Sequence, residues 1–175
     1  MKKSAAGSVV LGIDPGTHRV GYGVVLRVGG SVRFVAAGIL PVRGKDPASR
    51  LREIKQGADR LLENFAPSCV AVEKLFFSKN VKTGMSVAEA RGVLLLAAAE
   101  RGVPIREYGP GEIKVALTGY GLADKAAVLK MVRATLKEPR LRVLDDASDA
   151  LAAAILGARD LPRSAPRPPL DRRKK

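Results

Sequence analysis

Apolar positions along the chain follow two periods in succession. Val9–Asp14 (VVLGID) is a short apolar run that stops at Pro15-Gly16, a turn pair, and reads as a buried strand. Gly21–Arg27 and Ser31–Leu40 are rich in Val, Phe and Ile and flank Gly29-Gly30, a hairpin signal. The chain up to Leu40 therefore predicts a three-stranded meander. After it the period lengthens. Asp46-Pro47 pairs an N-cap with proline at the first helical position. Leu51, Ile54, Ala58, Leu61, Leu62 and Phe65 then keep helical spacing up to Pro67. Cys69–Glu73 (CVAVE) is a further buried strand.

Residues 81–100 predict a long helix. Val81, Met85, Ala88, Gly92, Leu95 and Ala99 give it one apolar face, and its second half (GVLLLAAA) is apolar all round. Such a helix needs cover on more than one side. A sheet supplies one cover, and a second subunit is the candidate for the other. Val103–Tyr108 predicts a strand, and Glu112–Leu117 and Asp124–Lys137 predict helices on either side of a glycine-rich turn. In the second of these, Leu129, Val132 and Leu136 are expected inward, with Lys130, Arg133 and Lys137 as a basic stripe. A last helix starts near Asp145 (DDASDALAAAILGA). The order βββ-α-β-α-β-α-α-α implies an α/β fold, a mixed sheet with helices packed on it.

Charge changes this picture first. The chain of 175 residues carries 31 Lys and Arg against 17 Asp and Glu, a formal net charge of +14. A surface that basic attracts polyanions. With 46% hydrophobic residues the chain is no disordered polycation. Between Arg159 and Lys175 lie seven basic residues, two acids and four of the eleven prolines, a net of +5 that leaves +9 for the rest. Three parts are expected: an N-terminal arm over 1–8, one domain over 9–157, and a basic, disordered tail over 158–175.

Composition also excludes chemistries. One cysteine, Cys69, rules out an intrachain disulfide and a Cys-rich zinc site. One histidine, His18, leaves no histidine pair for a zinc hydrolase. Tryptophan is absent, and three Tyr with four Phe make a multi-ring base-stacking platform a poor expectation. No apolar run suggests a membrane span or a signal peptide, so a cytoplasmic protein that meets nucleic acid is expected.

The informative residues are acids in apolar surroundings. Asp14 and Glu73 each end a buried strand, and Asp146 and Asp149 lie three apart on the alanine-rich last helix. Ala150, Ala153, Ala154 and Gly157 make that helix slim enough to press against a sheet. Carboxylates at the rim of a core are costly unless paired, either with Lys and Arg or with a divalent cation. Each locus alone has a plainer reading. Asp14 suits a turn, Glu73 an ion pair, and Asp145–Asp149 a helix N-terminus. Together they suit oxygen ligation of two ions that activate water and stabilise a leaving oxygen in phosphodiester cleavage.

LGIDPGTHRVGYGVV at 11–25, VAVEKLFF at 70–77, ARGVLLLAA at 90–98 and DDASDALAAA at 145–154 resemble the RuvC family, in order and spacing, over about residues 9–157. That family comprises bacterial Holliday-junction resolvases with a ribonuclease-H-like fold. The resemblance implies a homodimeric, Mg²⁺-dependent endonuclease, with Mn²⁺ as the other candidate ion, that nicks a four-way DNA junction symmetrically during recombination and repair. It implies Asp14, Glu73, Asp146 and Asp149 as catalytic ligands of two Mg²⁺, with Asp145 an extra acid beside them. It implies Phe76 as a residue that wedges or stacks at the crossover, where a lone Phe otherwise reads as core. Lys114 and Lys125 match basic positions near the active site. Lys74, Lys79, Lys82 and Arg91 crowd the segment after Glu73 and are read as contacts to the DNA backbone. His18 reads as a surface loop residue. The RuvA–RuvB branch-migration complex is a partner implied by resemblance alone.

Two rivals share part of the pattern. A sugar-kinase-type ATPase has a similar hairpin loop but needs two duplicated domains. A YqgF-type nuclease, which acts on RNA precursors, shares the D-x-G-x-x-R opening; the E-K-L-F-F segment and the D-x-x-D-A-L helix favour the RuvC reading. A silent DNA-binding module is the third alternative, against which all four acids speak.

Overall fold

The computed structural model describes residues 7–75 and 81–162, with the side chains of 81–83 left aside. Three strands open the chain: β1 (Ser8–Asp14), β2 (Arg19–Val28) and β3 (Ser31–Pro41). Gly29, at φ 58°, supplies the left-handed residue that turns β2 into β3. Helix α1 (Pro47–Phe65) begins as its sequence demands. The Asp46 carboxylate accepts from Ser49 N at 2.9 Å, and proline occupies the first turn. It ends at Ala66, whose left-handed backbone returns its N–H to Leu62 O at 3.0 Å. Next come β4 (Cys69–Glu73), α2 (Val81–Glu100), β5 (Ile105–Tyr108), α3 (Pro110–Thr118), α4 (Lys125–Leu136) and α5 (Asp145–Asp160).

The strands form one mixed sheet in the order β3-β2-β1-β4-β5. The meander pairs antiparallel, while β4 joins β1, and β5 joins β4, in parallel. This is the mixed α/β sheet that the element order predicted, and it is the ribonuclease-H-like fold that the resemblance implied. Helices cover both faces, and strand alternation sorts the core in two. Leu11, Ile13, Val20, Val24, Val70 and Val72 point to α1 and α2. Val10, Val25, Cys69 and Ala71 point to α3, α4 and α5.

Helix α5 is the most buried of the helices, with every residue from Ala150 to Ala158 in the core. Its slimness is only half of the reason. The sheet is also stripped where α5 crosses it: a methyl on Gly12 would sit 1.9 Å from Ala150 O, and one on Gly21 would sit 2.1 Å from Asp146 O. Small residues on both partners let the backbones approach.

Two helix faces differ from expectation. In α2 the core side is Ala90, Leu94, Ala97 and Ala98, while Met85, Gly92, Leu96 and Ala99 face outward. An all-apolar half-helix gives periodicity no contrast, so the spacing did not mark the inner side. In α4 the inward residues are Val128, Val132 and Leu136; Leu129 is only half-buried. Among the described residues, no helix is long and apolar enough to cross a membrane.

Candidate active site

The last parallel pair of β1 and β4 is Ile13↔Val72. Asp14 and Glu73 are therefore the next residues on adjacent parallel strands. Alternation turns both to the α5 face, Asp14 in phase with Val10 and Glu73 in phase with Cys69 and Ala71. Across the other ladder Asp14 faces Gly21. Because Gly21 has no side chain, the Asp146 backbone of α5 can settle there. Asp149, one turn on, comes beside Glu73. The three loci thus lie together at one end of the sheet, over its central strands.

The carboxylates feel one another. Burial first, and then repulsion from Glu73, Asp149 and Asp146, together raise the pKa of Asp14 from 3.8 to about 7 against the opposing pull of Lys125. Glu73 is pushed up by burial and by Asp149, with Lys114 and Lys125 opposing. Asp149 is pushed up by burial first, against the pull of Lys125, with Asp145 and Asp146 adding.

Cations stand among the acids. Lys125 Nζ lies 3.4 Å from Asp145 and 3.5 Å from Asp149, and Arg19 Nε lies 3.4 Å from Asp146. A cleft of about 230 Å³ opens beside them, lined by Glu73, Lys114, Lys125 and Asp149 over an apolar floor of Pro110, Ile113 and Val128. Among the described residues, no three acidic, His or Cys side chains converge into a ready-made ligand set. The donor chemistry nevertheless suits a hard divalent cation. All four side chains are carboxylates, and their repulsion on Asp14 is what such an ion relieves.

The remaining sequence candidates separate. Lys114 and Lys125 line the cleft. Lys74 is exposed just past Glu73. Arg91 is no free surface charge: its guanidinium pairs with Glu107 and donates to the Glu73 carbonyl. Phe76 and Lys79 lie outside the described residues, as does the side chain of Lys82. Asp145 is exposed and does not cap α5; the N-cap is Leu144, with no side-chain bond. His18 sits in an exposed loop, its Nδ1 3.0 Å from the Thr17 hydroxyl. Arg19 and Gly21 were missed. Arg19 was visible five residues after Asp14, where the hairpin returns. Gly21 gave no signal until its ladder partner was known.

Comparison with known proteins completes the picture. Residues 10–157 match the family model described as crossover junction endodeoxyribonuclease RuvC.

The chain belongs to the RuvC family.

A relative of that name from Chloroflexus aggregans is 47% identical over 153 residues, 87% of this chain and 93% of its own length. Another from Roseiflexus is 46% identical over 146 residues, 83% of this chain and 87% of its own. The solved structure of Thermus thermophilus RuvC in complex with Holliday junction substrate superposes with a TM-score of 0.79 at 37% identity, covering 87% of this chain and 95% of that one. Membership makes the chain a metal-dependent nuclease acting on DNA and disfavours the YqgF-type alternative.

Proposed function

We propose that this protein resolves four-way DNA junctions by paired, symmetric nicks, with Asp14, Glu73, Asp146 and Asp149 holding two Mg²⁺ ions. The observation that carries the reading is the meeting of these four carboxylates, from two strand ends and one helix, beside the cleft that Lys114 and Lys125 line. When bound, the ions supply activation of the attacking water and charge neutralisation at the departing 3′-oxygen. The carboxylates act as ligands and not as nucleophiles. Asp14, which feels the charges of Glu73, Asp149 and Asp146 together, would contribute to holding both ions. Lys125, relieved of neutralising Asp145 and Asp149, is positioned to meet the scissile phosphate, and Lys114 faces the same cleft.

The unit that carries this chemistry is the domain expected over 9–157, which β1 and α5 extend to Ser8 and Asp160. Its exposed α2 face, with Met85 and Leu96, supports a homodimer, which would set two sites across a two-fold junction. RuvA–RuvB is the partner such a nuclease would serve. The test uses a synthetic four-way junction, linear duplex and structured RNA, each with Mg²⁺, Mn²⁺ or chelator. Paired nicks in the junction alone, lost in Asp14→Asn with junction binding retained, are the expected result. Full cleavage by a folded Asp14→Asn, or preferential cutting of RNA, overturns it.

A further inference from the structure

The Glu73–Lys74 peptide sits where β4 leaves the sheet. Its N–H donates to Tyr108 O of β5 at 2.8 Å. In a trans peptide the carbonyl points the opposite way, so Glu73 O turns from β5 toward β1. The residue of the first strand that would donate to it, one past Asp14, is Pro15, which has no N–H. The ladder therefore ends one donor short beneath the Glu73 carboxylate. A buried carbonyl left without a donor is costly and leaves its backbone loosely held.

Arg91 fills that place. From α2, its Nε donates to Glu73 O at 3.4 Å, and its terminal nitrogen pairs with the carboxylate of Glu107 on β5. Glu107 is the ladder partner of Val72, in phase with the α2 side of the sheet, whereas the Glu73 side chain points to the α5 side. Arg91 thus grips the strand end from behind the carboxylate cluster. With a side chain only 17% exposed and its charge matched by Glu107, it is poorly placed to meet DNA phosphate.

We propose that Arg91, held by Glu107, is a positioning residue: it replaces the donor that Pro15 lacks and fixes the backbone from which Glu73 reaches the metals. The proposal rests on the reading of Glu73 as a metal-holding carboxylate. Its corollary concerns Glu107, an acid that no cleavage chemistry uses. Removing that charge from a basic DNA-binding protein should not weaken DNA binding, yet here it should impair cleavage.

The decisive variants are Glu107→Gln, Arg91→Gln and Arg91→Lys, with Glu73→Gln as the control on the underlying reading. Junction affinity is measured at several salt concentrations without metal, and single-turnover cleavage is measured across a Mg²⁺ titration. Glu107→Gln is expected to bind as tightly as the parent with the same salt slope. It should cleave roughly 10-fold more slowly and need several-fold more Mg²⁺ for half-maximal rate. Arg91→Gln should do the same, more strongly, and Arg91→Lys should recover part of the rate. The proposal is overturned if Glu107→Gln cleaves like the parent, or if Arg91→Gln loses affinity with a salt slope lowered by about one, the mark of a phosphate contact. Full cleavage by Glu73→Gln instead overturns the reading of the site, so the two failures are distinct. If Arg91→Gln does not fold, Glu107→Gln still decides.

Discussion

Asp14 is the residue at which the cost of function is clearest. Burial and three neighbouring acids lift its pKa from 3.8 to about 7. The sign of the consequence is fixed by linkage. Between about pH 4 and 7 the folded protein keeps a proton on Asp14 that the unfolded chain has released. Stability conferred by that proton is lost as pH rises through this window and stays lost above it. Glu73 and Asp149 are shifted in the same direction. Asn at position 14 keeps the shape and cannot ionise. In chelator, Asp14→Asn should therefore match the parent near pH 4 and exceed it increasingly up to pH 7, levelling above. The gain should approach about 4 kcal/mol, since the shift from 3.8 to about 7 spans about three pKa units at about 1.4 kcal/mol each. Urea unfolding of both proteins at a series of pH values checks this; a difference that does not vary with pH rules it out. The variant would be more stable and inactive, the usual trade at a site built for charge.

At the scale of elements, the site is a consequence of how closely α5 lies on β1 and β2. Asp146 reaches Asp14 because Gly21 leaves a gap in the sheet, and a methyl there would lie 2.1 Å from Asp146 O, a backbone atom that cannot rotate away. Gly21→Ala should push the start of α5 off the sheet. A loss of about 1–3 kcal/mol in thermal or urea unfolding is expected, together with loss of junction cleavage. Gly30→Ala is the matched control: a methyl there meets nothing within 4 Å, and both readouts should stay near the parent. Equal behaviour of the two variants would show that the close approach is not what builds the site. The same pair shows what was legible in the chain. Asp14 and Glu73 stood out because an acid ending an apolar strand is anomalous. The Asp146–Asp149 pair stood out because its helix is otherwise small and apolar. Strand and helix order followed from period and punctuation. What stayed hidden depends on pairing across distance. Gly21 matters through its register with Asp14, and Arg91 matters through a carbonyl that Pro15 fails to satisfy. Neither α2 nor α4 declared its inner face fully, because Leu95 and Leu96, or Val128 and Leu129, are equally apolar neighbours and only packing chooses between them.

For the whole molecule, the net charge of +14 and the acidic cluster are complementary parts of one design. On the proposed reading the basic surface gathers the polyanion and four of the 17 acids hold metal, so affinity and catalysis should respond to different ions. A single site of this kind nicks one strand. Resolution needs two cuts related by a two-fold axis, and the outward face of α2 is where a second copy would join. Met85 is 60% and Leu96 53% exposed there, on a helix whose opposite side is already packed on the sheet and α1. Burying Leu96 against its symmetry mate removes apolar surface from water, whereas Glu at that position would bring two like charges together. Leu96→Glu should shift sedimentation from dimer toward monomer while leaving the thermal transition of the fold in place. Its junction product should change from paired nicks, which ligase can seal, to single nicks. Its salt slope for junction binding should fall to roughly half, since one copy neutralises about half as many phosphates. Val35→Glu, on β3 and 43% exposed, adds the same charge away from α2 and should leave the dimer, the paired nicks and the slope intact. A parent protein that sediments as monomer at high concentration, or a Leu96→Glu variant that still makes paired nicks at the parent's ratio, would place the two-fold axis elsewhere.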